Sequence, residues 1–238
     1  MSESGSEGTE RPFIVAIDGP AGAGKSTVSK MLARRLGFQL VDTGAIYRCV
    51  ALHVERTAVP LEDDAQMAHV IANIDVRFES QGDDNRVFLA GEDVTEAIRA
   101  PEVSMGASRV SQRPVVREGL LGLQRRLALA SPKGAVLEGR DIGTVVFPDA
   151  DAKFFLEANP IVRAKRRHEE LAQKGVEKSL EEVLEEQNRR DAQDREREIA
   201  PLRAAEDAVA VDSSALPLPE VVDRLEREIR ARMAGAQA

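Results

Sequence analysis

Short apolar runs alternate with longer stretches of helical spacing along the 238 residues of this chain. Phe13-Ile14-Val15-Ala16-Ile17 is continuously apolar, the pattern of a strand buried on both faces. From Ser26 to Leu36, residues Val28, Met31, Leu32 and Leu36 recur at helical spacing, and Gly37 ends that helix. Phe38 to Val41 predicts a second short strand, closed by Asp42-Thr43-Gly44, and a helix runs on from Ile46 to Val54. Glu62-Asp63-Asp64 opens a short helix over about Leu61 to Ile71, and a longer one extends from Arg113 to Ala130, stopped by Ser131-Pro132-Lys133-Gly134. Ala135 to Leu137 and Lys153 to Leu156 are further buried strands. Asn159-Pro160 supplies a cap and a first-turn proline for a helix from Ile161 to about Lys174. Gly175 breaks it, and Ser179 with Glu182 forms the capping box of a second, charged helix. Ala208 to Val211 is the last strand, and Val221, Val222, Leu225 and Ile229 form the apolar stripe of a final helix.

Five short apolar strands separated by helices predict an α/β fold, a five-stranded parallel sheet covered on both faces. One region departs from that rhythm. Ile74, Val76 and Phe78 alternate with Asp75, Arg77 and Glu79, Gln81 to Asn85 supplies a turn, Arg86 to Leu89 returns, and Gly91-Glu92-Asp93 turns again into Val94. This predicts an antiparallel insertion over residues 73–100, inside a single domain spanning 12–238.

Composition narrows the picture. Charged residues are 31% and the apolar set 42%, ordinary for a globular domain, and the net charge of −8 gives no general reason to expect nucleic-acid or anionic-membrane binding. Cys49 is the only cysteine, so no intrachain disulfide forms, and its mid-helix place reads as a buried structural thiol. His53, His69 and His168 lack metal-ligand spacing. Residues 1–11, rich in Ser, Gly and Glu, read as a disordered tail. With no stretch of transmembrane length and no signal-peptide pattern, a cytoplasmic location is expected.

The chemistry starts at Gly19-Pro20-Ala21-Gly22-Ala23-Gly24-Lys25-Ser26-Thr27, which fits G-x-x-x-x-G-K-[ST] between a strand and a helix. Glycines let the backbone curl until its N–H groups converge on phosphate oxygens, and the helix N-terminus adds positive potential. In such a loop Lys25 reaches the β- and γ-phosphates of a nucleoside triphosphate and Ser26 offers its hydroxyl to Mg²⁺. In a parallel sheet ligands bind beyond the carboxyl ends of the strands, where Asp18-Gly19, Asp42-Thr43 and Glu138-Gly139-Arg140-Asp141 all fall.

Other clusters are more ambiguous from spacing alone. Asp42-Thr43-Gly44-Ala45-Ile46-Tyr47-Arg48 reads either as part of a site or as a capped helix start with a solvated arginine. Three charges at the end of a buried strand, in Glu138 to Asp141, are costly if idle. Arg163, Arg166 and Arg167 share one helix face, as do Arg190, Asp194 and Arg197; by spacing alone such runs are usually solvated faces held by weak i,i+4 pairs.

Taken together, Asp42 to Arg48, Gly91-Glu92-Asp93-Val94, Glu138-Gly139-Arg140-Asp141-Ile142-Gly143-Thr144-Val145-Val146-Phe147-Pro148 and Arg195-Glu196-Arg197-Glu198-Ile199-Ala200-Pro201-Leu202 resemble the bacterial cytidylate kinase family, in its order, from about Pro12 to the C-terminus. The resemblance implies a P-loop nucleoside monophosphate kinase core with an enlarged antiparallel insertion and a helical lid, about residues 161–198. It implies transfer of the γ-phosphoryl of ATP to CMP or dCMP with Mg²⁺. By similarity, Thr43, Ser108, Arg117, Asp141 and Arg197 surround the cytosine, Arg190 and Asp194 hold the sugar, and Arg48 and Arg140 hold the acceptor phosphate. Arg163, Arg166 and Arg167 belong to the lid, and Lys25, Arg140, Arg163 and Arg167 carry the catalytic charge. Thr43 stands where some members have Ser, and Glu138 where some have Asp.

Cytosine chemistry agrees with that set: a carboxylate accepts from N4, while arginine and serine donate to N3 and O2. A GTPase switch needs a guanine-reading Asn-Lys-x-Asp, which the chain lacks. A nucleic-acid motor needs a basic surface, against the charge of −8. The nearest alternative is a kinase for another nucleoside monophosphate such as UMP. Expected partners are therefore ATP and CMP or dCMP, with no nucleic acid and no membrane, and the chain is expected to be monomeric.

Overall fold

The computed structural model describes residues 11–81, 84–173 and 175–236. The expected tail lies outside these residues except for Arg11, whose guanidinium grips Asp151 at 3.0 Å; part of the expected 81–85 turn also lies outside. Strands β1 (Phe13–Asp18), β2 (Gln39–Asp42), β6 (Gly134–Gly139), β7 (Ala152–Glu157) and β8 (Val209–Asp212) form one sheet in the order β2-β6-β1-β7-β8. Every pairing in it is parallel. Three further strands, β3 (Val76–Gln81), β4 (Asp84–Leu89) and β5 (Glu92–Asp93), make a separate antiparallel sheet within the expected insertion.

Helices cover both faces of the parallel sheet. One apolar cluster joins β1 and β8 to α1 (Lys25–Leu36) and α8 (Leu218–Ala236), where the stripe Val221, Val222, Leu225 and Ile229 is fully buried. The other joins the sheet to α2 (Thr43–Thr57), α3 (Asp64–Asn73), α4 (Pro101–Val110), α5 (Pro114–Leu129) and the insertion. Cys49 is buried there, as its helical context suggested. Helices α6 (Pro160–Gln173) and α7 (Leu180–Glu196) pack on each other over a third, much smaller cluster. The capping box Ser179–Glu182 is present, and Asn159 accepts from the Ile161 N–H at 2.9 Å to open α6.

Two differences from the sequence reading bear on the site. Helix α2 begins at Thr43 rather than Ile46, because Asp42 caps it by accepting from the Ala45 N–H at 2.9 Å. Helix α4 has no counterpart in that reading: its apolar positions Val103, Ala107 and Val110 are few and small, and Met105 is exposed. Parallel register places Asp18 beside Gly139, and Glu138 beside Asp42 and Ile17, so the three strand ends lie side by side. Among the described residues no helix is long and apolar enough to cross a membrane.

Candidate active site

Beyond those strand ends lies a cavity of about 580 Å³. Its first wall is the loop between β1 and α1. Gly19 has φ +148°, and a Cβ there would sit 1.9 Å from the Leu156 carbonyl oxygen, so only glycine lets the chain leave β1 against β7. Gly22 and Gly24 also take positive φ. Gly24 caps α1 without a side-chain acceptor, which leaves the first-turn N–H groups of α1 to a ligand or water. The Lys25 ammonium donates to the Pro20 carbonyl at 2.8 Å. Burial first, and the nearby Arg140 charge second, push Lys25 down to about 7. Ser26 donates to the Glu138 carboxylate at 2.8 Å, and burial raises that carboxyl to about 7.

The opposite wall is built from side chains. Arg117 donates to Asp141 at 2.6 Å and to the Ser111 carbonyl at 3.2 Å, and its guanidinium lies over the Tyr47 ring, 5.5 Å from the centroid. Arg197 stands 3.8 Å from the other Asp141 oxygen and 3.6 Å from Asp194. Arg140 donates to Asp194 at 2.9 Å, and Arg48 to Asp42 at 2.7 Å. Arg190 is lowered to about 10, by burial first and then by Arg140. The Thr43 hydroxyl donates to the Glu138 carbonyl at 2.7 Å. Beneath this wall, Asp18 accepts from the Ile142 and Gly143 N–H groups, both at 2.8 Å, and so fixes a π-helical turn (Ile142–Val146) that starts directly after Asp141.

Cavity walls include Ala21, Gly22, Gly24, Lys25, Ser26, Thr27, Thr43, Arg48, Ser108, Arg117, Arg140, Asp141, Arg166, Arg167, Arg190, Asp194 and Arg197. Arg190 and Asp194 of α7 thus face the cavity, not solvent. Gly19, Pro20, Ala23 and Arg163 do not line it. Arg163 is 2% exposed: it donates to the carbonyls of Ala158 and Ala21, both at 2.9 Å, and pairs with Asp191 at 2.7 Å. Its helix-mate Arg167 is half-buried, lines the cavity and pairs with Glu170 at 3.1 Å. The sequence reading also passed over Tyr47, Ser104, Asp191 and Ser213. Tyr47 sat inside a quoted motif, one turn from Thr43; the others carry no local signal and meet the site only through tertiary packing.

Residues 15–231 match the model of the cytidylate kinase family. The chain belongs to that family of phosphotransferases. A cytidylate kinase of Geobacter sulfurreducens is 51% identical over 232 residues, covering 98% of this chain and 97% of its own. Another, from Caldanaerobacter subterraneus subsp. tengcongensis, is 50% identical over 221 residues, covering 93% and 96%. The resemblance drawn from the Asp42, Glu138 and Arg195 blocks therefore extends to the whole domain.

Proposed function

We propose that this kinase transfers the γ-phosphoryl group of Mg²⁺-bound ATP in line to the phosphate of CMP and dCMP, giving CDP or dCDP and ADP. The observation that carries this reading is the uneven charge of the cavity. Lys25 of the loop wall shares the cavity with Arg48, Arg140 and Arg190 of the opposite wall, and burial first, with the Arg140 charge second, lowers both Lys25 and Arg190. Such a group of cations is relieved by phosphate dianions on both sides of the transferring group. Farther along the cavity wall Asp141 is shared by two arginines, Arg117 and Arg197.

Each residue then has a task. The loop from Gly19 to Thr27 wraps the ATP phosphates, and Lys25 follows the charge that builds as the γ–β bridging bond breaks. Arg48 and Arg140 hold the acceptor phosphate, whose oxygen forms the new bond to the γ-phosphorus. Asp141 accepts from the cytosine N4 amino group, and Arg117, Arg197 and Ser108 donate to N3 and O2. The Thr43 hydroxyl, its proton already engaged with Glu138, offers lone pairs to the same amino group. Arg190 and Asp194 take the sugar, and Arg167 brings lid charge to the phosphates.

Among the described residues no group of three or more acidic, histidine or cysteine side chains could cage a metal. That suits a Mg²⁺ ion carried mainly by phosphate oxygens and water, with Ser26 as its protein contact and Glu138 beside it. Bound there, the ion neutralises charge on the β- and γ-phosphates. Incubating the protein with Mg·ATP and each of CMP, dCMP, UMP, AMP and GMP tests the proposal. CDP and dCDP are expected as the dominant products; equal turnover of UMP would overturn the reading of the base.

A further inference from the structure

Arg163 reads from sequence as a lid arginine bearing catalytic charge, yet it is buried behind the phosphate loop and does not line the cavity. We propose instead that Arg163, with Ser213, is a positioning residue that fastens the ATP loop from behind and so turns its N–H groups toward the phosphates. In a trans peptide the carbonyl of one residue and the N–H of the next point in opposite directions, and the chain has no cis peptide among its described residues. Arg163 holds the Ala21 carbonyl at 2.9 Å, so the Gly22 N–H is directed away from Arg163, to the side on which Gly22 lines the cavity. The Ser213 hydroxyl holds the Ala23 carbonyl at 3.0 Å, which directs the Gly24 N–H away from Ser213 in the same manner.

Both anchors are themselves held. Arg163 is locked by the Ala158 carbonyl and by Asp191 of α7, and Gln187, one turn earlier on α7, donates to the Pro160 carbonyl at 3.1 Å. Ser213 accepts from Arg166, whose guanidinium reaches its hydroxyl at 3.3 Å and its carbonyl at 2.7 Å. Successive turns of one helix, α6, therefore brace two carbonyls of the loop, Arg163 directly and Arg166 through Ser213, and the spare room is small: a Cβ on Gly22 would lie 3.1 Å from the Arg163 Cβ. The consequence is specific to ATP, because Arg163 and Ser213 lie outside the wall that surrounds the acceptor base.

The inference rests on residues 19–27 being the ATP loop, a reading that Lys25→Ala tests separately. The decisive variant is Arg163→Met with Asp191→Leu, which removes both buried charges together and leaves neither unpaired. We expect it to unfold within a few degrees of the wild type, to raise the KM for ATP about tenfold, as loss of a charge-assisted hydrogen bond does, and to move the KM for CMP less than about twofold. Arg163→Lys, which keeps a charge for Asp191 but lacks the fork that reaches three acceptors, and Ser213→Ala should each raise the ATP KM by a smaller factor. These two single variants carry the test if the double one does not fold. Calorimetric titration with ATP in the absence of CMP should show the same weakening. An unchanged ATP KM in these folded variants, while Lys25→Ala abolishes turnover, overturns the brace but not the loop. Equal changes in the ATP and CMP constants would overturn it too, since a merely structural role moves both. If Lys25→Ala leaves turnover intact, the loop assignment itself falls.

Discussion

The end of the cavity where we place the ATP phosphates is built from backbone: three glycines at positive φ, a helix start without a side-chain cap, and a single lysine. The end where we place the acceptor is built from paired side chains, Arg117 and Arg197 on Asp141 and Arg140 on Asp194. A polyphosphate is the same whatever base it carries, and converging N–H groups bind it without regard to that base. A pyrimidine is distinguished only by the order of its donors and acceptors, which side chains can mirror and backbone cannot readily vary. The division between general and selective binding thus follows from what each ligand offers.

Removing Lys25 should break the comparison at its general end. With Lys25→Ala we expect kcat to fall about 10³-fold, in the range seen when one preorganised charge leaves a transition state, with CMP and UMP affected alike. Unfolding temperature should stay within a few degrees, since the lysine is buried at a cost to its charged form and packs against its own loop. Single-turnover kinetics with both acceptors checks this; near-normal kcat would contradict it.

Asp18 ties the two ends together, because it closes β1 just before Gly19 and holds the turn just after Asp141. Burial outweighs the two N–H donors and lifts it from 3.8 to about 6. Below the unfolded value both states are protonated. Between the two values the folded protein keeps a proton that the unfolded chain has lost, so stability falls as pH rises, and above about 6 the loss is complete. Subtracting an Asp18→Asn unfolding curve from that of the wild type should leave a decline on the order of 2–3 kcal/mol between about pH 4 and 6. A flat difference would mean that Asp18 titrates as an exposed carboxylate does.

The selective end is tested at Asp141. Alanine would strand the buried Arg117, so asparagine is the cleaner replacement: its oxygen still accepts from Arg117 at the 2.6 Å contact while its amide nitrogen now donates. For CMP, kcat/KM should fall about tenfold to a hundredfold, the effect of losing a hydrogen bond to a charged group. UMP, whose O4 would accept from the new amide, should lose much less or gain, and the CMP/UMP ratio should narrow. Equal losses for both would assign Asp141 to positioning alone.

The same division explains what could be read from the chain. The phosphate loop is one contiguous segment between a strand and a helix, so Gly19 to Thr27 announce it locally. The parallel sheet was equally legible, because each strand carries a short apolar run, from Leu40-Val41 in β2 to Phe13–Ile17 in β1. The acceptor wall draws on residues from Thr43 to Arg197, brought together by five elements, and their spacing alone did not separate a site from a solvated face. Resemblance to a family is what proposes them. What neither route supplied was the distinction between Arg163 and Arg167, four residues apart on one helix. Burial against Ala21 and Asp191 decides that, and it depends on where α7 packs.

The smallest expected effect concerns the lid that would close over the general end. Helices α6 and α7 share a cluster of only Ala164, Leu171 and Val183, with Val176, Leu180 and Leu184 packed at its edge. Local stability follows buried apolar contact, so this pair should open without unfolding the sheet. Val183→Ala should lower the opening free energy of α6 and α7 by about 1–2 kcal/mol, the usual cost of removing two buried methyl groups, and speed amide exchange there about tenfold. Exchange in β1 and β6 should not change, because their side chains belong to the larger clusters on either face of the sheet. Adding ATP with CMP should slow exchange in both helices. If β1 and β6 accelerate together with α7, the lid and the sheet unfold as one unit, and closure would have to arise from rigid rotation about the Arg163 brace instead of from local ordering.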